Sequence, residues 1–218
     1  MHMLFRTLLH VLFLARRKPD LNHYDVARTN FITLPTDLDI NRHMNNGVYF
    51  SIMDVARFDM LVRNGVWRAF RDKGWYPVVA SETITFRKSL SLWQRFTIES
   101  KLVGYDDKAV YVEQRFVRPG PDGTPEVYAQ GFIRARFLRK SGGTVPVSEL
   151  MAEFGALEGE RIPEWIERWG EDVALPATRA EAPRDVVRHA GATTSREGQL
   201  SIAFRGFVMG RLVRPACW

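Results

Sequence analysis

The sequence predicts an α+β domain: a five-stranded antiparallel sheet wrapped around one long central helix, with a helical extension after the last strand. Three observations lead there. Between positions 49 and 60, Tyr49, Ile52, Met53, Ala56 and Met60 recur at three- and four-residue steps, the period of a helix face. Val48, Phe50, Val55 and Phe58 widen that face beyond one stripe, as expected of a helix buried against a sheet. After Gly74 four successive strand-like segments follow, and in one of them Phe96, Ile98, Ser100 and Leu102 alternate with Arg95, Thr97, Glu99 and Lys101, which gives one buried and one wetted face.

Taken in order, the chain opens with MHMLFRTLLHVLFLARRK. Its apolar run is far shorter than the roughly 20 residues that span a bilayer. The positive cluster follows the apolar run and no small-x-small site comes after it, so it makes a poor secretory signal. It reads as an amphipathic helix, either packed on the domain or a partner, or lying on an anionic membrane surface through Arg16, Arg17 and Lys18. Residues 25–34 read as a strand, and Pro35 blocks its continuation in a ladder. A polar loop leads into the central helix. The four strands are expected at 78–90, 95–105, 109–118 and 126–140, with turns at 104–108 and 119–125 rich in Gly, Pro and Asp. From Ser148 two short helices are expected, with Pro163 opening the second. Beyond Val173 little periodicity remains, and a loosely held tail is expected. The implied division is 1–23, an N-terminal amphipathic segment; 24–147, the main domain; and 148–218, a helical extension and tail.

Composition narrows the function. With 218 residues, 45% of them hydrophobic, the chain can fold without staples. Its single cysteine, Cys217, excludes an intrachain disulfide, a C-x-x-C pair and a multi-cysteine zinc site, and suits a reducing, cytoplasmic setting. The net charge of +6 belongs to the front part, where Arg6, Arg16, Arg17 and Lys18 precede the first acid, Asp20. No basic run with interleaved aromatics marks a nucleic-acid groove. There is no G-x-S-x-G, no H-E-x-x-H and no G-x-x-x-x-G-K-[ST]. Neither an organic cofactor nor a metal is implied.

The densest chemistry lies in Asp37-Leu38-Asp39-Ile40-Asn41-Arg42-His43-Met44-Asn45-Asn46-Gly47-Val48-Tyr49. D-x-D-x-N opens an EF-hand, but Arg42 stands where that loop needs Gly and Val48 where it needs a bidentate Glu. A D-x-D phosphoryl-transfer aspartate belongs to folds of alternating β and α units, which this chain lacks. The third reading starts from architecture. A long helix wrapped by an antiparallel sheet, with one strand before it, is the hotdog arrangement, and D-x-D-x-x-x-H-x-N-N-x-x-Y followed by Asp54-x-x-Arg57 resembles the 4-hydroxybenzoyl-CoA thioesterase-type branch of hotdog acyl-CoA thioesterases. The form HMNNGVY resembles a membrane-associated thioesterase-like subgroup. The resemblance covers about residues 24–147.

What the resemblance implies is hydrolysis of an acyl-CoA or acyl-carrier thioester, with Asp39 as the catalytic carboxylate and the backbone amide of Asn46 or Gly47 at the helix start holding the thioester carbonyl. The physics agrees, since a helix N-terminus presents unpaired N–H groups and partial positive charge to a developing oxyanion. Asp39 can act as nucleophile or general base. Each residue also has a plainer reading. Asp39 can be a turn aspartate, and Asp37, the loop's first acid, reads as a structural turn former. His43 can orient Asp39, touch substrate or make a structural hydrogen bond. Asn45 and Asn46 suit a helix cap. Tyr49 lies on the apolar face as either a substrate contact or core. Asp54 and Arg57 have the spacing of a plain ion pair. Glu82 shares a strand face with apolar residues, and marks either a polar pocket or an irregular strand. Arg87 and Lys88, with Arg134 and Arg136, are the candidates for the CoA phosphates. The partners expected are acyl-CoA and further copies of the chain, as a homodimer or homotetramer, with peripheral membrane contact through residues 1–18. The rival readings are a non-catalytic acyl-CoA or lipid-binding module and a membrane-tethered scaffold.

Overall fold

A computed structural model of the chain describes residues 2–9, 15, 18–155 and 162–175. Helix α1 (His2–Leu9) is followed by strand β1 (Ala27–Ile32), a 3-10 turn (Pro35–Asp37), α2 (Asn46–Arg63), α3 (Val66–Lys73), β2 (Trp75–Phe86), β3 (Arg95–Tyr105), β4 (Val110–Pro119), β5 (Pro125–Arg139), α4 (Val147–Phe154) and α5 (Glu164–Asp172). The five strands form one sheet in the order β1-β3-β4-β5-β2, every pair antiparallel. The central helix therefore carries the chain from one sheet edge to the other, as the hotdog arrangement requires.

The face of α2 expected from its periodicity is the buried one. Tyr49, Ile52, Met53, Val55, Ala56 and Met60 pack against Phe31, Phe96, Ile98, Phe116 and Ile133, which point to one face because strand side chains alternate. The helix presses close at Gly131, where a Cβ would stand 2.5 Å from the Met53 methyl and 3.0 Å from the Thr83 carbonyl. After α2 the chain breaks at Asn64 and Gly65, the latter at φ 77°, a left-handed conformation that glycine takes without a Cβ penalty. The break lets α3 turn and pack Val66 and Phe70 against Trp75, Phe137 and Leu150. Helix α5 covers the opposite face of the sheet, with Ile166 on Tyr111. The expected pair of short helices is present, and Pro163 caps the second. The loose tail expected beyond residue 173 lies, from residue 176 on, outside the described residues.

The opening segment needs a correction. Of its two readings, packing on the domain is the one the contacts support for Arg6 and Lys18, of which the membrane reading counts Lys18 with Arg16 and Arg17 as free surface charge: both pair with fully buried acids. Arg6 donates through one nitrogen to both oxygens of Asp37, at 3.0 and 2.9 Å, and through the other to the carbonyl of Ile32. Lys18 meets Asp59 at 2.9 Å, where Thr29 donates to the other oxygen at 2.8 Å and Arg63 stands at 3.4 Å. Asp37 and Asp59 are each 0% exposed, so these cations offset charges that burial alone would make costly. Among the described residues no helix is long and apolar enough to cross a membrane.

Candidate active site

The loop between the 3-10 turn and α2 is a small, tightly bonded hairpin. The Asp39 amide donates to the His43 carbonyl at 2.8 Å and the Arg42 amide to the Asp39 carbonyl at 3.0 Å. Closing so short a turn puts Arg42 at φ 63°, sparsely populated for a residue with a Cβ. The hairpin is anchored on both sides: Met44, buried, donates its amide to the Leu90 carbonyl at 2.8 Å, and the Asn45 amide donates to the Asp37 carbonyl at 2.8 Å. His43 bridges to Ser91.

On this frame the two acids part company. Asp37 faces inward, accepting the Leu34 amide at 2.8 Å and the Arg6 guanidinium, which makes it the structural member of the pair. Asp39 is half-buried. Its Oδ1 accepts the amides of Asn41 at 2.8 Å and His43 at 3.4 Å, and among the described residues no donor or cation engages Oδ2. His43 thus holds Asp39 through its backbone, while its imidazole is exposed.

At the start of α2 the geometry separates two amides that the sequence left equivalent. Asn45 is the N-cap, and its Oδ1 accepts the Gly47 amide at 2.9 Å. The Val48 amide donates to the Asn45 carbonyl at 2.9 Å. Of the first turn, the Asn46 amide has no acceptor among the described residues. It is the orphan donor that a helix N-terminus leaves over once its cap is made.

Other expected site residues lie elsewhere. Tyr49, carried as a substrate contact, is 2% exposed and sits between Phe86 and Phe116, each with its ring 4.9 Å away. Its hydroxyl accepts the Leu90 amide at 3.2 Å, and burial raises its pKa; it is core. Lys88 is paired with Glu126 at 2.6 Å and stands over the Tyr128 ring. Arg87 is exposed beside it. Arg134 is not available to a phosphate: it is 7% exposed and donates to the Tyr111 hydroxyl at 3.2 Å, on the sheet face away from α2. Arg136 is exposed on that same face.

Asp54 and Arg57 do pair, as their spacing implied, but the pair belongs to a larger network. Arg57 also donates to Gln114 Oε1 at 2.9 Å, and Gln114, 0% exposed, donates to the Met53 carbonyl at 3.0 Å and to Ser100 at 2.8 Å. Burial lowers the Arg57 pKa, opposed by the charges of Asp54 and Glu82. The Glu82 carboxyl is raised, by burial first, with Arg57 lowering it and Asp54 raising it. β2 does slip register between Val79 and Ser81, so Glu82 follows an irregularity in its strand. Sequence reasoning missed Gln114, and the signal was there: a polar residue at an inward position of β4, between Val112 and Phe116.

Beyond this pair lies a mostly apolar cavity of about 260 Å³, walled by the C-terminal half of α2, by α3, α4 and the inner face of the sheet. Asp54 and Arg57 line it, whereas Asp39 and Asn46 do not. Among the described residues no three His, Cys, Asp or Glu side chains group as a metal site.

Comparison with known proteins agrees with this architecture. Protein THEM6 of Xenopus laevis is 49% identical over 86 residues, which are 39% of this chain and 42% of that protein. Protein THEM6 of Drosophila melanogaster is 28% identical over 146 residues, 66% of this chain and 71% of that one. The chain thus spans less than half the length of the frog relative. Among solved structures, the probable thioesterase YbaW of Escherichia coli superposes with a TM-score of 0.54 at 23% identity, covering 59% of this chain and 96% of that one. A 4-hydroxybenzoyl-CoA thioesterase complexed with 4-hydroxybenzoyl-CoA gives 0.54 at 14% identity, covering 60% and 99%; both likenesses show the shared fold. The family model described as the thioesterase-like superfamily matches residues 33–170, a span that takes in α2, β2 to β5, α4 and the loop with both acids, and the chain belongs to that superfamily.

Proposed function

We propose that the protein hydrolyses an acyl-thioester, of coenzyme A or an acyl carrier, to a free acid and a thiol. The observation behind this reading is the loop itself: a carboxylate with one oxygen fixed by two amides and the other, among the described residues, unengaged, seven residues before a helix amide that none of them caps. The thioesterase names of the YbaW and 4-hydroxybenzoyl-CoA relatives point the same way. In the reading, the Asn46 amide donates to the thioester carbonyl and stabilises the oxyanion that forms on it, aided by the positive end of α2. Asp39 takes a proton from water as the water oxygen bonds the carbonyl carbon. Collapse of the tetrahedral adduct breaks the carbon–sulfur bond, and the departing thiolate is protonated. The alternative has Asp39 attack the carbon directly, expelling thiolate to leave a mixed anhydride that water then opens. Label found in Asp39 after a single cycle in oxygen-18 water identifies the second route with water opening the anhydride at the Asp39 carbon, because general-base attack leaves the Asp39 oxygens untouched.

Asp39→Asn is close to isosteric but neither base nor anionic nucleophile, and is expected to lower turnover at least about a hundredfold with its fold intact. Unchanged turnover removes Asp39 from the mechanism. A non-catalytic acyl-CoA or lipid-binding module is the second reading, favoured by a cavity that lies apart from Asp39; absence of turnover on every thioester would select it. Arg87 remains a candidate for the CoA phosphates, beside the segment that bonds the site loop.

The assembly proposed is a homodimer or homotetramer. Strand β2 is a sheet edge, and its Tyr76, Val79 and Phe86 are exposed, which is the kind of edge that a second copy covers. Light scattering should return the mass of two or four chains. Peripheral membrane contact would rest on the exposed Phe5, Leu8 and Leu9 of α1, because Arg6 and Lys18 are engaged by buried acids.

A further inference from the structure

The cavity beside Asp54 and Arg57 is a shape without a role in the chemistry described so far. Its walls are apolar side chains such as Leu61, Phe70, Val112 and Phe137, and it is closed at one side by Met151 and Phe154 of α4. An interior normally packs to the density of an organic crystal, and an empty apolar space of this size forfeits contacts on every side. A polar rim on an otherwise apolar hollow is the form of a site for an apolar ligand.

Its place relative to α2 says which ligand. Gly47, Phe50, Asp54, Arg57 and Leu61 recur at three- and four-residue steps and so line one side of the helix, running from the Asn46 amide to the cavity. Along that line the helix rises about 12 Å between Asn46 and Asp54. A ring bonded directly to a carbonyl held at Asn46 ends well short of that, whereas an extended alkyl chain is long enough to span it. The far wall is fixed. Phe154 packs edge-on against Phe70 at 5.7 Å, the His23 ring lies tilted against it at 5.4 Å, and the Tyr24 hydroxyl donates to the carbonyl of Gly155, next after α4, at 2.6 Å. A wall pinned in this way stops a chain at a set length.

We propose that the cavity receives the distal part of a long-chain aliphatic acyl group, and that Met151 and Phe154 of α4 set the length it accepts; this rests on the thioesterase reading above. The chain's methylenes replace the contacts that the empty cavity lacks, while the Asp54 and Arg57 pair stays at the rim beside its passing middle. Short and aromatic acyl groups leave the cavity unfilled.

The test uses the full chain and S-alkyl-CoA thioethers from hexyl to octadecyl, which cannot be hydrolysed, so that binding is read apart from turnover. Affinity is expected to rise at least about tenfold from hexyl to the optimum, as successive methylenes leave water. Met151→Trp should move the optimum about four carbons shorter, and Phe154→Ala should move it longer, with hexyl affinity within about twofold of the parent in both. A hexadecyl thioether bearing a terminal diazirine should label the parent protein within residues 147–155, which serves if a variant does not fold. A flat length profile, or label placed elsewhere, overturns the proposal even where thioesters are turned over. A graded profile that shifts with both variants, in a protein that turns over no thioester, retains the cavity assignment and refutes the hydrolytic reading instead.

Discussion

One backbone amide can be removed from this protein almost without touching its fold. Asn46 is the first residue of α2, where a helix has no internal acceptor for the N–H and where proline is at home. Proline also demands that the residue before it be extended, and Asn45 is already at φ −60° and ψ 138°. Asn46→Pro therefore deletes the uncapped amide while leaving the Gly47 to Asn45 cap in place, and its melting temperature is expected to stay within about 3 °C of the parent, less than 1 kcal/mol for a chain of this size. If that amide stabilises the oxyanion, its loss should cost about 3–4 kcal/mol of transition-state stabilisation, or 10²–10³ in kcat. Asn46→Ala keeps the amide and drops only the exposed side chain, so it should retain kcat within a fewfold. The assay is steady-state hydrolysis of a long-chain acyl-CoA with thiol release followed by a chromogenic disulfide, run beside thermal melts. A proline variant that melts like the parent and turns over like the parent refutes the assignment, and a loss of activity shared equally by the alanine variant refutes it as well.

Two further outcomes follow from the packing. Arg6→Ala leaves the Asp37 carboxylate without its guanidinium and should cost about 3 kcal/mol, lowering the melting temperature by roughly 6–12 °C; in an Asp37→Asn background the same change should cost less than half as much, and equal costs in both would show that the pair is not the cause. The Tyr111 hydroxyl is pushed up to about 12, by burial first and then by its hydrogen bond to Asp106. An unfolded chain ionises it near pH 10 while the folded one holds its proton, so its contribution is complete below pH 10 and is lost as the pH rises through about 12. Tyr111→Phe should lower stability at pH 8 by about 1 kcal/mol per hydrogen bond lost and flatten the decline in melting temperature above pH 10; an unchanged alkaline slope would clear Tyr111.

What the sequence made legible is what repeats along it. The period of α2 and the alternation along β3 named the core correctly, because burial acts on every turn or every second residue and leaves a regular trace. Even Ser100, inward among Phe96, Ile98 and Leu102, was visible as an oddity, and its partner Gln114 lies one strand away. Helix α3 was not read from the sequence, because its eight residues, with Val66 and Phe70 buried, make too few turns for a period to stand out. Arg6 with Asp37 and Lys18 with Asp59 were illegible for a different reason. Such pairs join positions 31 and 41 residues apart, and no local pattern says which of several cations will find which acid. The same applies to Tyr49, Arg134 and Lys88, whose side chains are claimed by partners distant in sequence.

The roles of the two loop acids show how such a distant pairing bears on chemistry. A D-x-D pair puts two carboxylates into one short turn. Here the inner one is neutralised from outside the loop: Arg6 lies against both oxygens of Asp37, and the Asp37 carbonyl accepts the Asn45 amide that seats the helix cap. The cap in turn occupies the Gly47 amide and leaves that of Asn46 over. Asp39 is thereby the carboxylate of this loop that no cation holds among the described residues, and it sits on a hairpin whose shape Arg6 helps to fix. Arg6, in the segment at the start of the chain, is thus part of what fixes the shape of this loop. Removal of that segment should impair turnover in proportion to the loosening of the loop, and addition of free guanidinium or a helix peptide spanning residues 1–18 should restore some of what deletion takes away.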